Sequence, residues 1–127
     1  MPEDIDPSCG DSLPLAAFSL EPLDDKCVVV VVGGELDISN TGELGDLLSQ
    51  AQALSPQVLV VDLTAVSFCS STSLGVLINA SAAAKTAGTR FGLVAPHRPV
   101  QRPIEVLNLG PYLPVHNSVN AARRSLS

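Results

Sequence analysis

Four consecutive hydroxyl side chains, Ser70, Ser71, Thr72 and Ser73, separate an apolar segment from a helical one. The first backbone N–H groups of a helix have no partner within the helix, and they give its start a partial positive charge. A hydroxyl there can cap the helix, and a phosphate added to one is stabilised by the same groups. This junction therefore predicts helix capping, with phosphorylation or docking of a partner as the functional alternative.

Enzymatic chemistry is less well supported by the residue types and their spacing. The segment around Ser71 does not match the Gly-x-Ser-x-Gly elbow of hydrolases. The two histidines, His97 and His116, are predicted in turn or edge positions, where surface or capping roles are usual. Asp37 and Asp62 can in principle form a carboxylate pair. An aspartate inside an apolar strand, such as Asp62, more often holds a nearby loop by accepting hydrogen bonds from backbone N–H groups.

The pair Gly33-Gly34 follows a β-branched run but belongs to no phosphate-binding pattern. Neither G-x-G-x-x-G nor a P-loop lysine is present, so nucleotide hydrolysis is unsupported. We expect the two glycines to end the strand in a tight turn that leaves Glu35 and Asp37 facing a partner.

Composition indicates one globular domain. The chain has 127 residues, of which 46% are hydrophobic and 16% charged. The longest apolar run, 27–32, is far too short to cross a bilayer, which takes about 20 residues. The acidic start lacks the features of a signal peptide, so we expect a cytoplasmic protein without a membrane partner. We also expect residues 1–12 to form a disordered acidic lead-in to a domain over 13–127.

Charge and cysteines narrow the function further. The net charge is −6; eleven of the 13 acidic residues lie at or before Asp46, and six of the seven basic residues lie at or after Lys85. Without a basic stripe, direct binding to nucleic acid is not expected. Cys9, Cys27 and Cys69 show no metal-binding spacing. We expect reduced thiols and no cofactor, with redox chemistry at Cys69 as an alternative.

Strand and helix patterns alternate along the chain, which predicts an α/β fold with a mostly parallel central sheet of about five strands and about four helices. In such sheets the working loops lie beyond the carboxyl ends of the strands. The predicted strands cover 13–20, 27–32, 57–63, 89–95 and 112–116, and the predicted helices cover 41–54, 72–87, 100–109 and 118–125.

An ordered set of short motifs resembles the STAS-domain family of anti-sigma factor antagonists. The similarity extends over 13–126. The matching positions are Gly34-Glu35-Leu36-Asp37, Val60-Val61-Asp62-Leu63, Val66, Phe68, Ser71-Thr72, Leu74-Gly75-Val76-Leu77 and Gly88.

The resemblance implies a small STAS-like domain that is not an enzyme. In that family the domain binds an anti-sigma factor that is also a serine/threonine kinase, and so frees a sigma factor. It implies phosphorylation at Ser71, with Thr72 as second choice. The implied partner-binding residues are Glu35, Asp37, Ser70, Ser71, Thr72, Ser73, Leu74 and Gly75, and Glu43 and Asp46 extend the acidic flank.

The chain departs from the family pattern Asp-Ser-Ser/Thr-Gly-Leu-Gly at two positions. Ser70 stands where the family has aspartate, and Ser73 stands where it has glycine. Three alternatives stay open: a module that senses a nucleotide or small anion at the helix start, regulation through Cys69 instead of phosphorylation, and a small hydrolase with Ser71 or Cys69 as nucleophile.

Overall fold

A computed structural model describes residues 16–23 and 26–126 of the chain. The expected lead-in over 1–12 lies outside the described residues. Within them, strands and helices alternate as the sequence predicts. The elements are β1 (Ala16–Pro22), β2 (Cys27–Leu36), α1 (Thr41–Ala53), β3 (Val58–Cys69), α2 (Ser71–Thr86), β4 (Arg90–Val94), α3 (Arg98–Val106), β5 (Val115–His116) and α4 (Val119–Leu126).

The sheet confirms the predicted α/β class. Its five strands lie in chain order, β1-β2-β3-β4-β5. Strands β2 to β5 are parallel to one another, and only the edge strand β1 runs antiparallel to its neighbour β2. Because each crossover steps in the same direction and is right-handed by preference, α1, α2 and α3 are expected on one face of the sheet.

The core has two layers on opposite faces of the sheet. On one face, alternate β2 and β3 residues pack against Leu44 and Leu48 of α1, Leu77 of α2 and Ile104 of α3. The opposite face carries the other set of alternate strand residues, and they pack under Ala122 of α4. Strands buried on both faces read as continuous apolar runs, which accounts for the valine-rich sequences of β2 and β3. Among the described residues, no helix is both long and apolar enough to cross a membrane.

The prediction that Gly33-Gly34 ends the second strand is wrong. Strand β2 continues to Leu36, and β3 continues to Cys69, six residues beyond its predicted end. The pairing shifts register near both glycines. Gly34 has φ 92°, and a Cβ on Gly33 would lie 3.1 Å from the Cβ of Ala65. The glycines therefore let β2 bend and keep pairing with β3, a role typical of glycine at a bulge.

Other boundaries differ less. Helix α2 begins at Ser71 rather than Thr72, α3 spans Arg98–Val106 with Pro103 inside it, and β5 contains only Val115 and His116.

Candidate functional site

The hydroxyl junction lies between the carboxyl end of β3 and the start of α2. Ser70 is the N-cap residue, with φ −74° and ψ 162°, and its Oγ accepts a hydrogen bond of 3.1 Å from the backbone N–H of Ser73. The Leu74 N–H donates to the Ser70 carbonyl, which begins the helical bonding. The composition predicted capping by Ser70 or Ser71; capping is confirmed, and Ser70 is the residue that provides it.

Ser73, the other outer hydroxyl, points inward. Its side chain is fully buried, and its Oγ lies 2.9 Å from the Oγ of Ser70. The two departures from the family pattern therefore contact each other. The Cβ that Ser73 adds lies beneath the helix start and not on the outer surface. Leu74 is also buried, so both residues support this surface from below.

The inner pair, Ser71 and Thr72, is exposed. In the described part of the chain, no histidine or carboxylate is hydrogen-bonded to either hydroxyl. An activated nucleophile needs a base within hydrogen-bond reach, and this arrangement does not supply one. An exposed hydroxyl in the first turn of a helix is well placed to carry a phosphate.

The loop between β2 and α1 lies beside this junction. Leu36 pairs with Cys69 across β2 and β3, and the Ser70 N–H donates to the Leu36 carbonyl over 2.9 Å. Parallel strands end at the same edge of a sheet, so this pairing brings the loop over 37–40 next to the start of α2.

The polar groups of that loop bind one another. Asp37 Oδ1 accepts hydrogen bonds from the backbone N–H and the hydroxyl of Ser39. Asn40, which is buried, accepts from the Asp37 N–H through Oδ1 and donates from Nδ2 to the Glu35 carbonyl. The Asp37 carboxylate therefore fixes the loop. Glu35 contributes its backbone carbonyl to the loop, and its carboxylate takes no part in these hydrogen bonds.

Sequence reasoning did not single out two apolar residues at this edge for exposure. Ile38, at the tip of the loop, is 76% exposed, and Phe68, one residue from the end of β3, is 51% exposed. The signal for Ile38 was its position between Asp37 and Ser39, which form a local turn. No local signal marked Phe68, because its exposure depends on where β3 ends.

Cys69 has the environment of a packed core residue. It is buried, and this burial raises the pKa of its thiol from 9.0 to about 11. The thiolate is the reactive form of cysteine, and at neutral pH this site disfavours it. The structure therefore lends no support to Cys69 as a redox site or a nucleophile.

Asp62 accepts a backbone hydrogen bond, as interpreted from the sequence, but the residue that it holds lies within β3 and not in a loop. Its Oδ1 accepts hydrogen bonds from the backbone N–H of Thr64 at 3.0 Å and from the Thr64 hydroxyl at 2.6 Å. Like Asp37, it binds the residue two positions along, but the Asp62–Thr64 contact lies within strand β3, whereas the Asp37–Ser39 contact lies in the loop after β2.

Comparisons with known proteins agree with this geometry. A profile of the STAS domain matches residues 22–122. The chain is 31% identical over 100 residues to the anti-sigma-F factor antagonist RsfA of Mycobacterium tuberculosis, which covers 77% of this chain and 78% of RsfA.

Solved structures show the same fold. An anti-sigma factor antagonist from Mycobacterium paratuberculosis superposes with a TM-score of 0.76 and 31% identity, over 87% of this chain and 93% of that one. The anti-sigma factor antagonist SpoIIAA superposes in its unphosphorylated form with a TM-score of 0.72 and 23% identity, over 86% and 96%. Its phosphorylated form, from Bacillus, gives 0.66 and 22%, over 86% and 99%.

Proposed function

Because this chain belongs to the STAS-domain family of anti-sigma factor antagonists, we propose that it binds a kinase-type anti-sigma factor in the bacterial cytoplasm and so releases a sigma factor. We further propose that phosphorylation of Ser71 switches this binding off. The chain itself acts as a binding module and not as an enzyme, since the kinase activity resides in the partner.

The observation that carries this proposal is that two of the four hydroxyls are engaged in the helix cap and the other two are exposed. Ser70 and Ser73 bind each other at the cap, while Ser71 and Thr72 are exposed on the first turn of α2. A kinase needs an accessible hydroxyl, and the resemblance to the family pattern supports Ser71 as the acceptor. Thr72 is the second choice because it is exposed on the same turn.

The physical effect of the modification supports a switch. Transfer of the ATP γ-phosphoryl group to the Ser71 oxygen, with loss of the hydroxyl proton and release of ADP, adds about −1.5 to −2 charges at pH 7. The helix start tolerates that charge within the folded protein. Where a partner covers the exposed first turn of α2, the same charge has to lose its water, and this cost opposes association. SpoIIAA, which shares the fold, has been solved both with and without phosphate.

The experiment incubates the purified chain with the anti-sigma factors encoded in the same genome, with and without ATP. We expect one of them to form a complex without ATP, and to add one phosphoryl group to the chain when ATP is present, as seen by intact-mass measurement. Ser71→Ala is expected to abolish the added mass, while Thr72→Ala retains it. Absence of any complex would overturn the binding function, and added mass on Ser71→Ala would overturn the assignment of the acceptor.

A further inference from the structure

Two exposed apolar side chains lie at the same edge of the sheet as Ser71. Ile38 and Phe68 have exposed fractions of 76% and 51%, which leaves most of their apolar surface in water. Single exposed apolar residues are ordinary on protein surfaces. These two instead lie where two adjacent parallel strands end. Phe68 is next to Cys69 in β3, and Ile38 lies in the loop after β2, two residues beyond Leu36, which pairs with Cys69.

The loop that carries Ile38 is internally bonded. The Asp37 carboxylate holds Ser39, and the buried Asn40 side chain bonds to both Asp37 and Glu35. The backbone around Ile38 is thereby held, so its side chain is presented to solvent at little further cost in conformational entropy. Preorganisation of this kind favours binding, because the ordering has already taken place.

Phe68 is held in a similar way by the sheet. It pairs with Glu35 across β2 and β3, and paired residues in neighbouring strands project from the same face. The aromatic ring and the exposed carboxylate are therefore neighbours. A partner that covers Phe68 must also accommodate a negative charge at its side.

The charged side chains between Lys26 and Lys85 are all acidic. The sequence contains no lysine or arginine between Lys26 and Lys85, a stretch that holds β2, α1, β3 and nearly all of α2. Glu35 and Glu43 in the same stretch are exposed. The complementary surface is one that offers an apolar recess with basic side chains at its border.

We propose that Ile38 and Phe68 are the apolar anchors of the partner interface, inserting into a basic-rimmed apolar recess of the anti-sigma factor. This inference rests on the proposed function and adds the chemistry by which the partner is recognised. It also gives a physical reason why one phosphoryl group at Ser71 would oppose binding. Ser71 lies three residues beyond Phe68, so its phosphate would have to lose water together with the apolar anchors, which is costly for a charge.

The test measures the dissociation constant for the anti-sigma factor with Ile38→Ala and Phe68→Ala. Each substitution is expected to raise the dissociation constant by about tenfold or more, because it truncates a side chain that is buried in the complex. Val106→Ala is the matched control, since Val106 is 66% exposed on α3. It is expected to change the constant by less than about twofold. Ile38→Ala lies in a loop, so its result does not depend on whether the Phe68 variant keeps strand β3 intact.

The outcomes separate this inference from the function beneath it. If the wild-type chain binds and is phosphorylated while both anchor variants bind as tightly as wild type, the anchors are overturned and the function stands. If the wild-type chain binds none of the anti-sigma factors, the proposed function itself is overturned. A further readout is Glu35→Gln, which is expected to slow association at low salt and to weaken the salt dependence of binding.

Discussion

The hydroxyl oxygens of Ser70 and Ser73 lie 2.9 Å apart, and the Ser70 oxygen also accepts a hydrogen bond from the Ser73 backbone N–H. These residues are the two at which the chain departs from the family pattern. Their contact shows that the departures form one structural unit: a short cap whose remaining space is filled by a buried hydroxyl. The exposed pair between them keeps the family arrangement.

Ser70→Ala is expected to lower the free energy of unfolding by about 2 to 4 kcal/mol. Loss of an N-cap side chain costs about 1 kcal/mol, and the buried Ser73 hydroxyl would lose its side-chain partner, which costs about 1 to 3 kcal/mol. Urea denaturation followed by circular dichroism measures the change. Ser71→Ala, which removes an exposed hydroxyl one residue away, is the control and is expected to change stability by less than about 0.5 kcal/mol.

The double variant Ser70→Ala/Ser73→Ala tests whether the two serines act as a unit. It removes both hydroxyls, so no buried oxygen is left without its partner. We expect its loss of stability to be about 1 kcal/mol smaller than the sum of the two single losses. Strict additivity would show that the contact between the two oxygens contributes nothing.

Ser71→Glu is expected to weaken binding to the anti-sigma factor by about tenfold or more, because the added negative charge must lose its water when the partner covers the start of α2. The unfolding transition should change little, since a carboxylate is favourable in the first turn of a helix. Titration calorimetry measures the affinity. Ser49→Glu places the same charge on an exposed site in the second half of α1, and equal weakening by that variant would mean that only net charge matters.

Gly34→Ala is expected to destabilise the protein by about 1 kcal/mol or more, because φ at this position is 92° and an L side chain is strained there. The strain falls where β2 bends to keep pairing with β3, so binding should weaken as well. Gly42→Ala provides the contrast. It lies in α1 with nothing within 4 Å of the added Cβ, and a gain of about 0.5 to 1 kcal/mol is expected. Thermal unfolding of both variants measures the difference in sign.

The raised pKa of the buried Cys69 thiol predicts that the folded protein loses stability at alkaline pH. Burial raises the pKa of its thiol from 9.0 to about 11, so between these values the unfolded chain has lost the proton while the folded chain retains it. The free energy of unfolding therefore falls as pH rises through this window, by about 2 kcal/mol between pH 8 and 10.5. Cys69→Ala removes this contribution. The difference in free energy of unfolding between wild type and variant is therefore expected to narrow by about 2 kcal/mol from pH 8 to pH 10.5. A constant gap in urea denaturation would contradict the prediction.

Much of the fold follows from local sequence signals. Apolar runs such as 27–32 indicated strands buried on both faces, and the helical spacing of Leu44, Leu48 and Ala51 indicated α1. Pairing decided the rest. Gly33-Gly34 has the composition of a turn, yet β3 offers a continuous partner, and hydrogen bonding across the sheet carries β2 through the glycines to Leu36.

The site was predicted in its position and not in its inner arrangement. The predicted topology placed the hydroxyl junction and the Glu35–Asp37 segment on loops beyond the carboxyl ends of strands, and the resemblance implied that both face a partner. The inward direction of Ser73 depends on its place in the first turn of α2 against the core. The engagement of Asp37 within its own loop follows a local turn pattern, whereas the exposure of Phe68 depends on the extended end of β3. The burial of Ser73 and the exposure of Phe68 depend on contacts between segments that are distant in the sequence, and local patterns do not report such contacts.

The strands lie in the sheet in the same order as along the chain, so neighbouring elements of the site are also consecutive in sequence. Every residue that we propose to touch the partner lies between Cys27 and Thr86, in one uninterrupted β2–α1–β3–α2 block. The remaining elements, β1, β4, α3, β5 and α4, carry none of the proposed contacts. Exchange of this one continuous block between two members of the family is therefore expected to exchange the proposed partner contacts together.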